Sequence, residues 1–418
     1  MSIKGSCNSR IPRYGIALLK ALQFSDATHR DLERLHEAEW NALLAFCDVS
    51  QATLLVGHLC RPALPGWVQA RIDRNFSDNA RRFERLKAAV LDISGHLQER
   101  EIDFTLLKGF AHSQDFAPDP RLRAQGDIDI WCRPDQVWNA RDTLLSLQYR
   151  PIRQSKGRHL DPMIRETAWE WSGDYFAPEL PIPVDLHYRL WDQDMERISG
   201  PPEDEFWNRR CSILTNGRLI PILHLPDALG FAALHLLMHL LHGDFRLQRS
   251  WELAYFLHNR SGDGEFWSSW QQLHSPDLRK LEVLIFALAT RWFGCRLPDL
   301  VAAEAEDLPK DLRLWIKHYS LSPIQALFVP NKDDLWLNLC LLDSFRDKVR
   351  ILSRRLLPVH FANLQRAVDN GHRTPRARAE ARSMSPLLER IWHHAYTLPS
   401  TCVRGLRWRY LYRRSYRQ

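Results

Sequence analysis

The chain has 418 residues, 45% of them apolar and 26% charged, with 16 Trp and 18 Phe. That rules out a disordered tail and allows two or three packed domains, since single cores stop growing at about 250–300 residues. The formal charge of +7 is unevenly spread: residues 346–418 carry 17 Lys+Arg against 4 Asp+Glu, a local +13 that leaves −6 for the first 345.

A basic segment of this kind points to an anionic partner: RNA, membrane headgroups or a polyphosphorylated substrate. The 8 Cys form no C-x-x-C pair, so neither a zinc ribbon nor a disulfide framework is suggested and a reducing compartment fits. The N-terminal apolar patch is interrupted by Lys20, and no stretch reaches the roughly 18 uncharged apolar residues a bilayer span needs. The expected location is the cytoplasm, with no transmembrane segment.

From Asp31 to Glu101 apolar residues recur at helical spacing, broken at Pro62, Pro65 and Gly66. IDFTLL then reads as a short strand ending at Lys108-Gly109, and GFAHSQDF as a helix start. IDIWC is a second strand closed by Arg133-Pro134, followed by a helix from PDQVWNARDTLLSLQY. TAWEWS and PVDLHYRLW are two further strand candidates.

Everything after residue 195 reads as helical, with a break expected at Gly243. Leu335 to Val368 is amphipathic, HRTPRARAEARSMSP reads as a basic loop or linker, and RGLRWRYLYRRSYRQ holds six Arg and no acid. Its Trp408, Tyr410, Tyr412 and Tyr416 could stack on RNA bases or sit at anionic lipid; the plainer reading is a solvated terminus. The expected organisation is an N-terminal helical region over 1–97, a catalytic core over 98–195, a helical domain over 196–345 and a basic helical segment over 346–418.

Two carboxylates alternating inside a strand waste half of its burial, so Asp127 and Asp129 demand a reason. Residues i and i+2 of a strand share a face about 6.6 Å apart, which puts both acids on one side while Ile128 and Ile130 bury the other. Such a pair suits a divalent cation that keeps positions open for water and phosphate, Mg²⁺ or Mn²⁺, with Asp185 as a third carboxylate. Lys108 and Gly109 fit the same chemistry, because a glycine at a strand-to-helix turn lets backbone N–H groups approach a phosphate that Lys108 would also attract. Arg123, three residues before Gly126, could reach the same anion. His187 and His159 are candidates for positioning an acceptor or a phosphate.

Each residue also has a plainer reading: GDIDI as a solvated strand face, Arg123 as a surface arginine, His187 as a satisfied buried histidine. His235, His239 and His242 share a helical face at a spacing that could hold zinc, but Leu236 stands where a zincin needs Glu. Helix packing or the lining of an acceptor pocket is the expectation there.

LLKGF, RAQGDIDIW and VDLHY together resemble a bacterial uncharacterised nucleotidyltransferase family within the polymerase-β-like superfamily, whose pattern is LLKG, R-x-x-GDIDI and VDLHW. The resemblance runs over most of residues 30 to 360, including HLLMHLLHGDFRLQRSWELAYF with its acidic position at Glu252. Tyr188 replaces the usual Trp, and Lys108-Gly109 stands where the wider superfamily has Gly-Ser.

The resemblance implies an α+β fold, a polymerase-β-like nucleotidyltransferase core with a small mixed sheet flanked by helical regions. It further implies transfer of a nucleotidyl group from an NTP to an acceptor it does not specify. Asp127, Asp129 and Asp185 would be catalytic and metal-holding, and Lys108, Gly109, Arg123 and Gly126 nucleotide-binding. Two other readings use the same residues: a kinase moving the γ-phosphoryl group, and a non-catalytic nucleotide or RNA binding module.

Overall fold

The computed structural model describes residues 11–25, 27–152, 157–169, 173–356 and 386–415. The linker expected from HRTPRARAEARSMSP and the end of the amphipathic stretch after residue 356 lie outside these, as does Tyr416. The chain groups into two compact units, one of Leu54–Leu234 with Asn259–Glu282, the other of the remaining residues. Among the described residues no helix is long and apolar enough to cross a membrane.

The first of these units contains a seven-stranded mixed sheet in the order β3-β4-β5-β2-β1-β7-β6. Its strands are β1 (Phe104–Leu106), β2 (Ile128–Cys132), β3 (Tyr149–Pro151), β4 (Met163–Arg165), β5 (Val184–His187), β6 (Cys211–Thr215) and β7 (Arg218–Ile222). β2 lies antiparallel to β1 and parallel to β5, and the latter register aligns Asp129 with Asp185 and Trp131 with His187. With helices around this mixed sheet, the fold is α+β and nucleotidyltransferase-like.

One face of the sheet is closed by the long Gly66–Glu99 helix, whose buried stripe Leu86, Val90, Ile93 and Leu97 joins Ile128, Ile130, Val184 and Leu186 in one core. The spacing of that stripe is the i, i+4, i+7, i+11 of an amphipathic helix. The Val137–Ser146 helix adds Val137, Ala140 and Leu144. Alternation along β5 then sends Val184 and Leu186 into this core and leaves Asp185 and His187 on the opposite face.

Two strand expectations need correction. TAWEWS is not a strand at its described residues 167–169; the strand is β4, which ends at Arg165 just before it. The expectation that everything after residue 195 is helical fails at the β6–β7 hairpin, where Asn216 and Gly217 both take positive φ (48° and 78°) to form a two-residue turn. Leu214 and Leu219 are exposed on this hairpin, so its apolar pattern is weak, yet β7 pairs with β1 and completes the sheet.

The second unit is helical among its described residues and includes the Pro386–Ser415 helix. The basic end is therefore anchored: Trp408 is buried with its ring edge-on to Tyr319 at 5.9 Å, and Arg404 pairs with Asp333. Arg407, Arg409, Arg413 and Arg414 remain exposed on it.

Candidate functional site

Asp129 is the centre of the arrangement. It is 2% exposed on β2, and a carboxylate so deeply buried needs charge partners and hydrogen bonds to remain ionised. Two side chains supply them. Lys108 Nζ lies 3.1 Å from Asp129 Oδ2 and 3.8 Å from Asp127 Oδ2, and His187 Nε2 lies 2.9 Å from Asp129 Oδ1.

Local backbone explains each placement. The β1–β2 ladder continues past β1, with Leu107 N–H donating to the Asp129 carbonyl at 3.1 Å, and so carries Lys108 alongside the acids. The parallel β2–β5 register brings Asp185 level with Asp129, and His187 two residues further on the same face. Asp129, Asp185 and His187 each present a ligand atom, all within 4.8 Å of one another. Among the described residues this is the group whose chemistry and spacing suit a metal ion.

Two carboxylates offer hard oxygen donors beside a borderline imidazole nitrogen, and the Lys108 ammonium between Asp127 and Asp129 marks the place where positive charge is required. The residues present therefore fit a divalent cation.

Burial holds His187 below the usual imidazole range, with Asp129 opposing, so the ring is neutral and its Nε2–H donates to the carboxylate. Its Nδ1 is buried without a hydrogen-bond partner among the described residues. His159 meets His187 through an isolated bridge, with ring centroids 5.2 Å apart. Burial first, and His187 second, push His159 down to about 4, and its Nδ1 lies 2.8 Å from the Leu160 carbonyl. A pair of neutral histidines thus closes one side of the acidic cluster.

Gly109 has φ 71°, and a Cβ there would stand 2.1 Å from Gln125 Nε2. That amide donates to the Asp127 carbonyl at 2.6 Å, so the glycine leaves room for the side chain that fixes the loop into β2. Arg123 is half-buried in that loop, and a Cβ at Gly126 would meet nothing within 4 Å. Loop, turn and strand ends converge on one place with Lys108, Asp127, Asp129, Asp185, His187 and His159.

The histidines of the later helix are engaged differently. His239 Nδ1 pairs with Asp244 Oδ2 at 2.9 Å, its ring lies edge-on to His235, and Glu252 accepts from Gln248 at 3.1 Å. His235, His239 and His242 do not form a metal-spaced group among the described residues.

Sequence reasoning missed Asn79, Arg82 and Gln125. The structure places the first two at buried positions of the stripe on the Gly66–Glu99 helix. Asn79 Nδ2 donates to the carbonyls of Arg121 and Arg123, at 2.6 and 3.0 Å, and so ties that helix to the loop before Asp127.

No curated protein matches the sequence. The family model described as "Uncharacterised nucleotidyltransferase" matches residues 36–294, which take in the whole sheet and the acidic cluster, and the chain belongs to that family.

Proposed function

We propose that the protein moves a nucleotidyl group from an NTP to an acceptor, with Asp127, Asp129 and Asp185 as the acids that hold a divalent cation, Mg²⁺ or Mn²⁺. The observation that carries this reading is the gathering of Asp129, Asp185 and His187 within 4.8 Å, inside a chain of the nucleotidyltransferase family. When bound, such a cation neutralises charge on the phosphates and polarises the reacting phosphorus.

The protein's own residues orient and exchange charge. His187 fixes the Asp129 carboxylate by its 2.9 Å hydrogen bond. Lys108 balances Asp127 and Asp129 in the chain by itself and, as a point charge on a flexible stem, can turn to a phosphate oxygen. Gly109 and Gly126 leave backbone open to the triphosphate, and Arg123 adds charge beside them. Asp185 is less buried than Asp129 and serves either as a cation ligand or as the base that takes the acceptor's proton.

His159 borders this site and positions the acceptor or a phosphate. The acceptor is a small molecule, glycan, peptide or RNA, and the exposed arginines of the C-terminal helix offer a second contact to an anionic surface. The expected setting is the cytoplasm.

The experiment is label transfer. Purified protein is incubated with Mg²⁺ or Mn²⁺, a cell extract as acceptor pool, and each NTP labelled in turn at the α or γ phosphorus. Transfer of α label that disappears in Asp129→Asn is the expected result. Transfer of γ label alone makes the protein a kinase, and transfer of neither with nucleotide still bound makes it a binding module.

A further inference from the structure

Arg82 stands out among the buried side chains. It is 3% exposed, and its Nε and Nη2 find no hydrogen-bond partner among the described residues. Orphaned donors of this kind are rare, because the lost hydration is not replaced, and they gather where a ligand completes the bonding.

Its surroundings say which ligand. Arg82 lies one turn after Asn79, the residue that ties the helix to the Arg121–Arg123 carbonyls, and one turn before Leu86 in the sheet core. The next residue, Phe83, packs its ring 6.1 Å from Phe110, which directly follows Gly109. The helix thus faces both segments that frame the acidic cluster, the Lys108–Phe110 turn and the loop into Asp127.

Burial lowers the Arg82 guanidinium to about 10, the like charge of Arg85 adds to this, and Asp127 opposes it. The group stays cationic at neutral pH. A second arginine beside it makes the position more electropositive, and Asp127 is already shared with Lys108 at 3.8 Å. Arg85 itself donates to the Pro178 carbonyl, which steadies it.

We propose that Arg82, assisted by Arg85, is the binding position for the terminal phosphates of the nucleotide and for the pyrophosphate released from it. This rests on the nucleotidyltransferase reading above and adds the residue that receives the leaving group. In the transfer, an acceptor oxygen bonds to the α-phosphorus, the bond from that phosphorus to the β-bridging oxygen breaks, and its electron pair stays on pyrophosphate. The acceptor's proton passes to a base. Charge grows on pyrophosphate as the bond breaks, and a planar guanidinium with free N–H donors matches two of its oxygens at once. A buried arginine is worth more there than a surface one, since water does not screen it.

The test measures binding of inorganic pyrophosphate, ATP and AMP to the full chain by calorimetry, for wild type, Arg82→Gln and Arg82→Lys. Label transfer by wild type is followed in parallel. The expected result is that Arg82→Gln loses roughly 30-fold or more in affinity for pyrophosphate and ATP and Arg82→Lys loses about 10-fold, as bidentate charged contacts would. AMP binding stays unchanged in both, and both still fold, because Nε and Nη2 give up no hydrogen bond among the described residues.

Wild-type transfer with pyrophosphate affinity untouched in both variants would overturn the inference and leave the nucleotidyltransferase reading standing. Absence of both α-label transfer and pyrophosphate binding in wild type would overturn the two together. If Arg82→Gln does not fold, Arg82→Lys decides: selective loss of pyrophosphate over AMP supports the role, and equal loss of both assigns Arg82 to structure and overturns it.

Discussion

Two of the places where the sheet-bearing unit buries histidine beside carboxylate differ in how their bonding is closed. In the first, His274 lies between Asp227 and Glu282, with its Nε2 3.1 Å from Asp227 Oδ1 and its Nδ1 3.1 Å from Glu282 Oε2. Arg209 grips both oxygens of Asp227 at 3.0 and 2.8 Å, and Trp270 donates to Glu282 at 2.9 Å. Against the cost of burial, these acids raise His274 to about 9, so the ring is an imidazolium with both nitrogens donating.

The Asp129 cluster has the same ingredients arranged differently. His187 is held below its usual range, its Nδ1 orphaned among the described residues, and Lys108 lies 3.1 Å from Asp129 and 3.8 Å from Asp127. One cluster pairs its charges inside the protein, with Glu282 Oε1 short of a hydrogen bond yet 2.9 Å from His274 Nδ1, and reads as structural. The other keeps donor and acceptor capacity in reserve, as a binding site must.

The sharpest way to break this contrast is to exchange the phenotypes. Asp129→Asn is expected to lower label transfer by about three orders of magnitude, the several kcal/mol a metal-centred contact supplies at tenfold per 1.36 kcal/mol, with melting little changed. His274→Ala is expected to cost about 3–5 kcal/mol in urea unfolding, since it strands Asp227 and Glu282, while transfer per folded molecule persists. If Asp129→Asn unfolds the protein or His274→Ala abolishes transfer by the folded fraction, the assignment of roles is reversed.

A second, smaller effect probes how Asp129 is held. His187→Ala removes the 2.9 Å bond that orients the carboxylate and is expected to weaken Mn²⁺ binding about 10–100-fold, read by calorimetry or spin resonance. Mn²⁺ affinity equal to wild type would mean that the cation does not depend on the His187 bond to Asp129.

Much of this site is visible in the sequence because carboxylates within a strand conflict with burial, and conflict stands out. Asp129 and Asp185 fall at strand positions and Asp127 just before one, with Ile128, Ile130, Val184 and Leu186 as neighbours, so the strands and their polar faces can be located together. Arg82 is hidden because its segment reads RRFERL, where an arginine every few residues looks like a solvated face. Only the packing of the helix against the sheet reveals which one is inside. The β6–β7 hairpin does carry an Asn-Gly turn signal, but Leu214 and Leu219 point to solvent and blur the alternation beside it.

The same comparison sets opposite pH limbs. His274 has its folded value raised above 6.5, so its contribution is complete below pH 6.5 and is lost as pH rises toward 9. His159 has its folded value lowered to about 4, so the unfolded chain binds the extra proton and stability falls as pH drops from 6.5 toward 4. Each limb is worth at most about 3 kcal/mol at 1.36 kcal/mol per unit. Unfolding measured from pH 4 to 9 should lose its alkaline slope in His274→Gln and part of its acid slope in His159→Gln, the rest being kept by His187 and His239, which burial also lowers. Unchanged slopes in these variants would place the titrating groups elsewhere.

The mildest probe uses a glycine from each cluster. A Cβ at Gly230, within the Leu225–Leu241 helix, would stand 2.4 Å from Glu282 Oε1 and 3.0 Å from His274 Cε1. Gly230→Ala therefore gains helix propensity of about 1 kcal/mol but displaces the closed network, at about 1–3 kcal/mol for overpacking. A small net loss of stability should result, with no change in transfer.

Gly109→Ala meets Gln125 at 2.1 Å and takes on a left-handed backbone, worth about 1–2 kcal/mol for a residue with Cβ. Its larger consequence is functional, because moving Gln125 releases the Asp127 carbonyl and with it the acid that faces Lys108. Adding Gln125→Ala to Gly109→Ala should restore part of the stability, since the clash is gone, but none of the activity, since the carbonyl is still untethered. Recovery of both would make Gln125 a spacer and not the brace of the loop that carries Asp127.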